Sequence, residues 1–172
     1  MKKIVWLLVL FLCLTGCSKQ QTFETVTDEI LSPVSATVQQ TLVQLPDGAS
    51  ATVMETDGGR LYFWDDFTVS CFVTEGGDLN KTVQGVCGFS ADQLQIMQTQ
   101  WDDTKRYDFV WTAAGETGQQ LCRASILDDG HYHYILIASS PAEQAGQLQQ
   151  TWIEMFDSFR LVSSDFPLDT GS

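Results

Sequence analysis

Four segments in the second half of the chain have strand-like patterns and are joined by short connections rich in Asp and Gly. They span residues 94–101, 106–114, 121–127 and 131–139. Tyr107, Phe109 and Trp111 recur at every second position, which is the period of a strand with two different faces. Connections this short join antiparallel neighbours, so the second half predicts a four-stranded antiparallel meander.

The first half of the chain predicts further strands and a short helix. Residues 37–45, 51–55, 61–64 and 67–74 are the strand candidates, separated by turns rich in Pro, Gly and Asp. Asp78 is then predicted as the N-cap of a helix that ends at Cys87, with Gly88 as its C-terminal cap.

A longer helix is predicted after the meander. Ser140-Pro141-Ala142-Glu143 has the pattern of a capping box with Ser140 as the N-cap. The apolar stripe of this helix contains Ala145, Leu148, Trp152, Met155 and Phe156, and residues 159–162 are predicted as a closing strand. Residues 36–162 therefore predict one α+β domain, an antiparallel β-sheet of about six to seven strands with helices packed on it.

The N-terminus has the features of a lipoprotein export signal. Lys2 and Lys3 precede an apolar run over residues 4–14, and Leu14-Thr15-Gly16-Cys17 follows the pattern of a lipobox. The run is shorter than the roughly 20 residues of a transmembrane helix. We therefore expect a signal peptide over residues 1–16, lipidation of Cys17 and a location on the extracytoplasmic face of the cell membrane. The alternative is an ordinary cleaved secretory signal.

The segments that flank the predicted domain are polar. Residues 17–35 are interpreted as the lipidated cysteine and a short tether, and residues 163–172 as a disordered tail. The chain of 172 residues has 22 acidic and 9 basic side chains, with a formal net charge of −13. This balance excludes nucleic acid as a partner, because phosphate binding needs a cationic surface. A monomer held at the membrane through Cys17 is expected.

Three cysteines lie within the predicted domain. Cys71, Cys87 and Cys122 have no CxxC spacing, and each falls in a stretch interpreted as core-facing. They are expected to be small buried side chains, and the sequence does not decide whether two of them form a disulfide.

The residues that could carry chemistry are few. His131 and His133 alternate beside Asp129, and these three side chains could supply a metal site for a metal-assisted hydrolase. The alternative is that both histidines are solvent-facing strand residues beside an acidic turn. The pairs Asp65-Asp66, Asp102-Asp103 and Asp128-Asp129 are likewise interpreted as turn residues. No nucleophile motif is present, so we expect neither catalysis nor a cofactor.

Aromatic residues are numerous and occupy both parities of several strands. Trp64, Trp111, Tyr132 and Tyr134 are candidates for a surface that binds a ligand or a partner. The alternative is that these rings fill the core on a sheet that is covered on both faces.

Two short motifs and the order of elements resemble a known fold family. Leu45-Pro46-Asp47-Gly48 near the start, and Trp152 followed by Phe156-Asp157-Ser158-Phe159-Arg160 at the end, are similar to the PsbP-like α/β/α sandwich. The resemblance covers roughly residues 37–162, and the whole chain resembles lipoproteins of the clostridial class. It implies a non-catalytic binding or accessory module of the cell envelope, with an envelope protein or a small ligand as partner.

Overall fold

A computed structural model describes residues 23–28, 38–46, 52–56, 58–115 and 118–162. The described chain contains ten strands and two α-helices. The strands are β1 (Phe23–Asp28), β2 (Gln40–Pro46), β3 (Thr52–Thr56), β4 (Gly59–Phe63), β5 (Thr68–Glu75), β6 (Met97–Trp101), β7 (Thr104–Gly115), β8 (Gly118–Asp128), β9 (Tyr132–Pro141) and β10 (Arg160–Val162). The helices are α1 (Leu79–Cys87) and α2 (Ala145–Ser158).

Seven strands form one antiparallel sheet in the order β3-β4-β5-β9-β8-β7-β6. The predicted meander is confirmed, since β6, β7, β8 and β9 pair in sequence order. Short turns fix the register, as where Trp101 pairs with Thr104 across Asp102-Asp103. The prediction of an antiparallel α+β architecture is confirmed.

A second, three-stranded sheet has the order β1-β2-β10. The sequence analysis did not predict β1, which lies within the segment interpreted as a tether and pairs antiparallel with β2. Its sequence, FETVTD, contains β-branched residues that favour a strand, but the polar composition of the segment indicated a tether instead. The ordered fold therefore includes residues before position 36.

The large sheet is covered on both faces. Tyr132, Tyr134, Leu136 and Ala138 of β9 point to the side of α2 and the small sheet, where they pack with Trp152, Met155 and Phe156. Ile135 points to the opposite side and packs with Val83 of α1 and with the alternating aromatic residues of β7. Each face thus buries its own apolar cluster.

The short helix follows its sequence signals. The Asp78 side chain accepts a hydrogen bond from the backbone N–H of Lys81, and Gly88 ends α1 with a left-handed φ of 80°. Both predicted caps are confirmed, because these signals act within one turn of the helix.

The capping box predicted at Ser140 is wrong. Ser140 is buried and belongs to β9, where it pairs with Leu121 of β8, and α2 begins only at Ala145 after a turn. Strand pairing with β8 extends β9 through Pro141 and overrides the local helix signal. The buried stripe is nevertheless correct for Trp152, Met155 and Phe156.

Arg106 connects β7 to the end of α2. Its guanidinium forms two hydrogen bonds with the Asp108 carboxylate, at 2.8 and 3.1 Å, and donates a third to the backbone oxygen of Phe156 at 2.8 Å. Arg123 lies over the Phe156 ring, 4.2 Å from its centroid. These contacts fix the C-terminal turn of α2, whose last carbonyl groups have no partner within the helix.

Several predictions fall outside the described residues. They are the signal peptide over residues 1–16, the lipidation site Cys17, most of the tether, the Asp47-Gly48 part of the first motif and the tail over residues 163–172. Within the described ranges, neither helix has the length and apolarity needed to cross a membrane.

Candidate functional site

Asp129, a candidate metal ligand, uses both carboxylate oxygens inside the fold. Oδ1 accepts hydrogen bonds from the backbone N–H groups of His131 and Tyr132, at 2.9 and 2.7 Å. Oδ2 accepts hydrogen bonds from the Tyr134 hydroxyl at 2.8 Å and from Gln39 Nε2 at 3.2 Å. Burial would raise the pKa of Asp129, but these four hydrogen bonds hold the pKa below its usual value.

His133 is buried, with only 1% of its surface exposed. Its Nδ1 lies 2.7 Å from the Thr82 hydroxyl of α1, and its Nε2 lies 3.9 Å from Asp128 Oδ2. Burial lowers the pKa of His133, although the carboxylates of Asp128, Asp129 and Asp78 act in the opposite direction.

The three metal candidates do not form a shared site. His131 is exposed and lies in the turn before β9, so the interpretation of both histidines as solvent-facing strand residues is wrong for His133. His133 is buried because its side chain points to the face of the large sheet that α1 covers. In the part of the chain that the structure describes, no three His, Cys, Asp or Glu side chains converge to hold a metal ion.

The four aromatic candidates belong mostly to the core. Trp111 is 9% exposed, Tyr132 is 5% exposed and Tyr134 is fully buried. Trp64 is half-buried and stacks on Phe67 with ring centroids 4.6 Å apart. The hypothesis of a surface built from these rings is therefore corrected for Trp111, Tyr132 and Tyr134, since helices or the small sheet cover both faces.

The cysteines lie on different sides of the large sheet. Cys71 and Cys122 are buried, as predicted, whereas Cys87 is half-buried at the end of α1. Cys71 packs on the α2 side, and Cys87 and Cys122 belong to the cluster on the α1 side. Burial raises the pKa of the Cys122 thiol, and the nearby Cys87 raises it further.

The sequence analysis missed the most exposed aromatic ring of the described chain. Trp101 is the last residue of β6 and is 58% exposed. It stands directly before the Asp102-Asp103 turn, in which Asp102 adopts a left-handed φ of 51° and accepts a hydrogen bond on its backbone oxygen from Gln100 Nε2. The only available signal was the position of a tryptophan at the end of a strand beside an acidic turn.

Trp101 lines a cleft of about 420 Å3 between the β6–β7 turn and β10, named here the Trp101 cleft. Its apolar lining comes from Leu127, Phe159 and Leu161, and its polar lining from Gln39, Asp102, Asp103, Thr104 and Arg160. This volume lies within the range of about 300 to 1,000 Å3 that is usual for small-molecule sites. The Trp101 cleft therefore combines an exposed ring with hydrogen-bonding groups.

A second cleft, of about 480 Å3, separates α1 from β5. Phe72, Val86 and Ile135 supply its apolar lining, and Glu75 and Lys81 are exposed at its rim. Its one aromatic side chain, Phe72, is half-buried and packs against the core. This cleft offers less exposed aromatic surface than the Trp101 cleft.

Comparison with known proteins identifies the fold. No family model and no curated protein matches the chain. The solution structure of cyanobacterial PsbP (CyanoP) from Synechocystis sp. PCC 6803 superposes with a TM-score of 0.57 at 12% identity, over 86% of this chain and 96% of that chain. LpqN, described as involved in cell envelope biogenesis of Mycobacterium tuberculosis, superposes with a TM-score of 0.51 at 11% identity, over 82% of this chain and 92% of that chain. The protein has an α+β, PsbP-like fold.

Proposed function

We propose that this protein is a lipoprotein anchored through Cys17 on the extracytoplasmic face of the cell membrane. There it serves as a non-catalytic binding or accessory module of the cell envelope. The observation that carries the proposal is the lipobox Leu14-Thr15-Gly16-Cys17 after a positively charged start and a short apolar run. Two acyl chains on such a cysteine would hold the protein firmly, whereas one chain binds a membrane only marginally.

The fold and the internal contacts support the accessory role. LpqN, which shares the fold, is described as involved in cell envelope biogenesis. The side chains that most resemble a catalytic cluster are engaged elsewhere, because Asp129 accepts four hydrogen bonds and His133 contacts Thr82. No contact favours the metal-assisted hydrolase based on His131, His133 and Asp129. The Trp101 cleft is the candidate binding surface.

Cys17→Ser tests the anchor. Cells grown with a palmitate analogue should label the wild-type protein and retain it in the membrane fraction, and the substitution should abolish both. Cys13→Ser is the matched control, because Cys13 lies in the apolar run that is removed with the signal peptide. An unlabelled wild-type protein, or equal membrane retention of Cys17→Ser, would contradict the proposal.

A further inference from the structure

The Trp101 side chain presents a flat apolar surface that the fold does not use. Single exposed apolar residues are common on protein surfaces, but Trp101 is both 58% exposed and part of a cleft lining. The ring is presented by the end of a hairpin, where Trp101 pairs with Thr104. This pairing fixes the backbone position from which the ring extends toward the cleft.

The charged groups beside the ring are not engaged within the fold. Among the described residues, no ion pair or hydrogen bond involves the side chains of Asp102, Asp103 or Arg160, which all line the Trp101 cleft. Gln39 differs, because its amide nitrogen is held by Asp129, which fixes the orientation of the amide and leaves its oxygen as an acceptor. The cleft thus offers carboxylate, guanidinium and amide groups around one indole ring.

This combination matches the chemistry of a sugar ring. One face of a pyranose carries C–H groups that pack on an aromatic ring, and its hydroxyl groups bond to carboxylate, amide and guanidinium groups in the plane around it. The cleft is bounded by the β6–β7 turn at one side and by β10 at the other. Two carboxylates against one guanidinium, in a chain with a net charge of −13, disfavour an anionic ligand.

We infer that the Trp101 cleft binds a neutral or amine-bearing saccharide, with the Trp101 indole as the stacking surface and Asp102, Asp103 and Arg160 as partners for its polar groups. The inference rests on the proposed function, because it names the ligand class of that binding module. It concerns side chains of the domain and not the anchor.

Titration of the full chain with defined saccharides tests the inference. The protein is kept in a detergent without a sugar headgroup and is labelled with 15N, and the indole N–H signals are followed by NMR. The probes are chitotetraose, which is neutral, its fully deacetylated form, which carries amines, and a heparin tetrasaccharide, which is anionic. Saturable shifts of the Trp101 signal are expected with the first two probes and not with heparin.

Variants separate stacking from charge. Trp101→Ala should weaken binding of both active probes by about tenfold or more, whereas Trp101→Phe should retain most of it. Asp103→Asn should weaken binding of the amine-bearing probe more than binding of chitotetraose, because the amide keeps one oxygen acceptor but loses the charge that attracts an amine. Met97→Ala is the matched control, because Met97 lies on the same strand, is 61% exposed and does not line the cleft.

Several results would overturn the inference. These are the absence of saturable binding by both chitotetraose and its deacetylated form, equal affinity in Trp101→Ala, or tighter binding of heparin. Binding of a tetralysine peptide at Trp101 without binding of either saccharide would assign the cleft to basic peptides instead. A flat titration would leave the labelling of Cys17 unaffected, and loss of that label would leave the titration unaffected, so the two proposals fail separately.

Discussion

Asp128-Asp129 joins β8 to β9, and Asp102-Asp103 joins β6 to β7, so the two acidic pairs lie at the same end of the large sheet. They differ in what the carboxylates contact. Asp129 accepts four hydrogen bonds that tie the turn to Tyr134 and to Gln39 in front of β2. The side chains of Asp102 and Asp103 are exposed and line the Trp101 cleft.

The comparison shows how one sequence signal can serve two purposes. Asp is favoured at both turns because its side chain bonds nearby backbone amides. The small sheet packs over the end of β9, however, and brings Gln39 within reach of Asp129, whereas nothing described covers the Asp102-Asp103 turn. One pair is therefore a structural element, and the other is available to a ligand.

The largest expected effect on stability is that of Asp129→Ala. The substitution leaves the Tyr134 hydroxyl and two backbone N–H groups without their acceptor, so the free energy of unfolding should fall by about 3 kcal/mol. Urea denaturation measures the change. Asp103→Ala is the matched control and should alter the free energy of unfolding by no more than about 0.5 kcal/mol. Equal losses in the two variants would remove the distinction between the turns.

The structural turn also lies beside a buried titratable group, which predicts a pH dependence. The pKa of His133 is lowered in the folded state, so the unfolded chain binds the proton first as the pH falls below about 6.5. The contribution of neutral His133 to the free energy of unfolding is complete above that pH. It is lost as the pH falls toward the pKa that His133 has in the folded state. Asp129 has a lowered pKa, so its contribution is present above about pH 3.8 and is lost below it.

Free energies of unfolding measured between about pH 7.5 and pH 5 report on the protonation of His133 and not on that of Asp129, because Asp129 is protonated only at lower pH. His133→Gln should flatten the slope of the free energy of unfolding against pH. A flat wild-type profile would contradict the buried, neutral state of His133.

The smallest expected effect is that of Asp102→Gly. Asp102 is the only residue other than glycine with a positive φ among the described residues, and glycine adopts this conformation without steric cost. The substitution should therefore raise the free energy of unfolding slightly, by about 0.5 kcal/mol. A gain in stability combined with weaker saccharide binding would mean that the carboxylate is kept for its contacts with a ligand. A clear loss of stability would instead assign Asp102 a structural role like that of Asp129.

The sequence predicted the features that depend on neighbours along the chain. Asp78 and Gly88 bound α1 as expected, because a cap acts within one helical turn. The alternation of Tyr107, Phe109 and Trp111 gave a correct strand with one buried face. In contrast, Ser140 has a local helix signal that pairing with β8 overrides.

The features that depend on distant elements could not be predicted. Period-2 alternation shows that Trp101 and Tyr134 each occupy one face of a strand, but it does not show which part of that face another layer covers. Tyr134 lies beneath the small sheet and donates a hydrogen bond to Asp129, whereas Trp101 lies at the uncovered rim. The candidate site was missed because exposure at the end of a strand is decided by the packing of β10 and β2.

The pairing of β2 with β10 has a consequence for the order of folding. Arg160 lies opposite Leu42, so the strand that completes the small sheet is the last described element of the chain. Contacts between residues far apart in sequence form slowly, because a long loop must first be closed. The meander from β6 to β9 pairs neighbours and can form earlier. We therefore expect one edge of β2 to be exposed until β10 pairs with it, so that proteases and other unpaired strands can reach that edge.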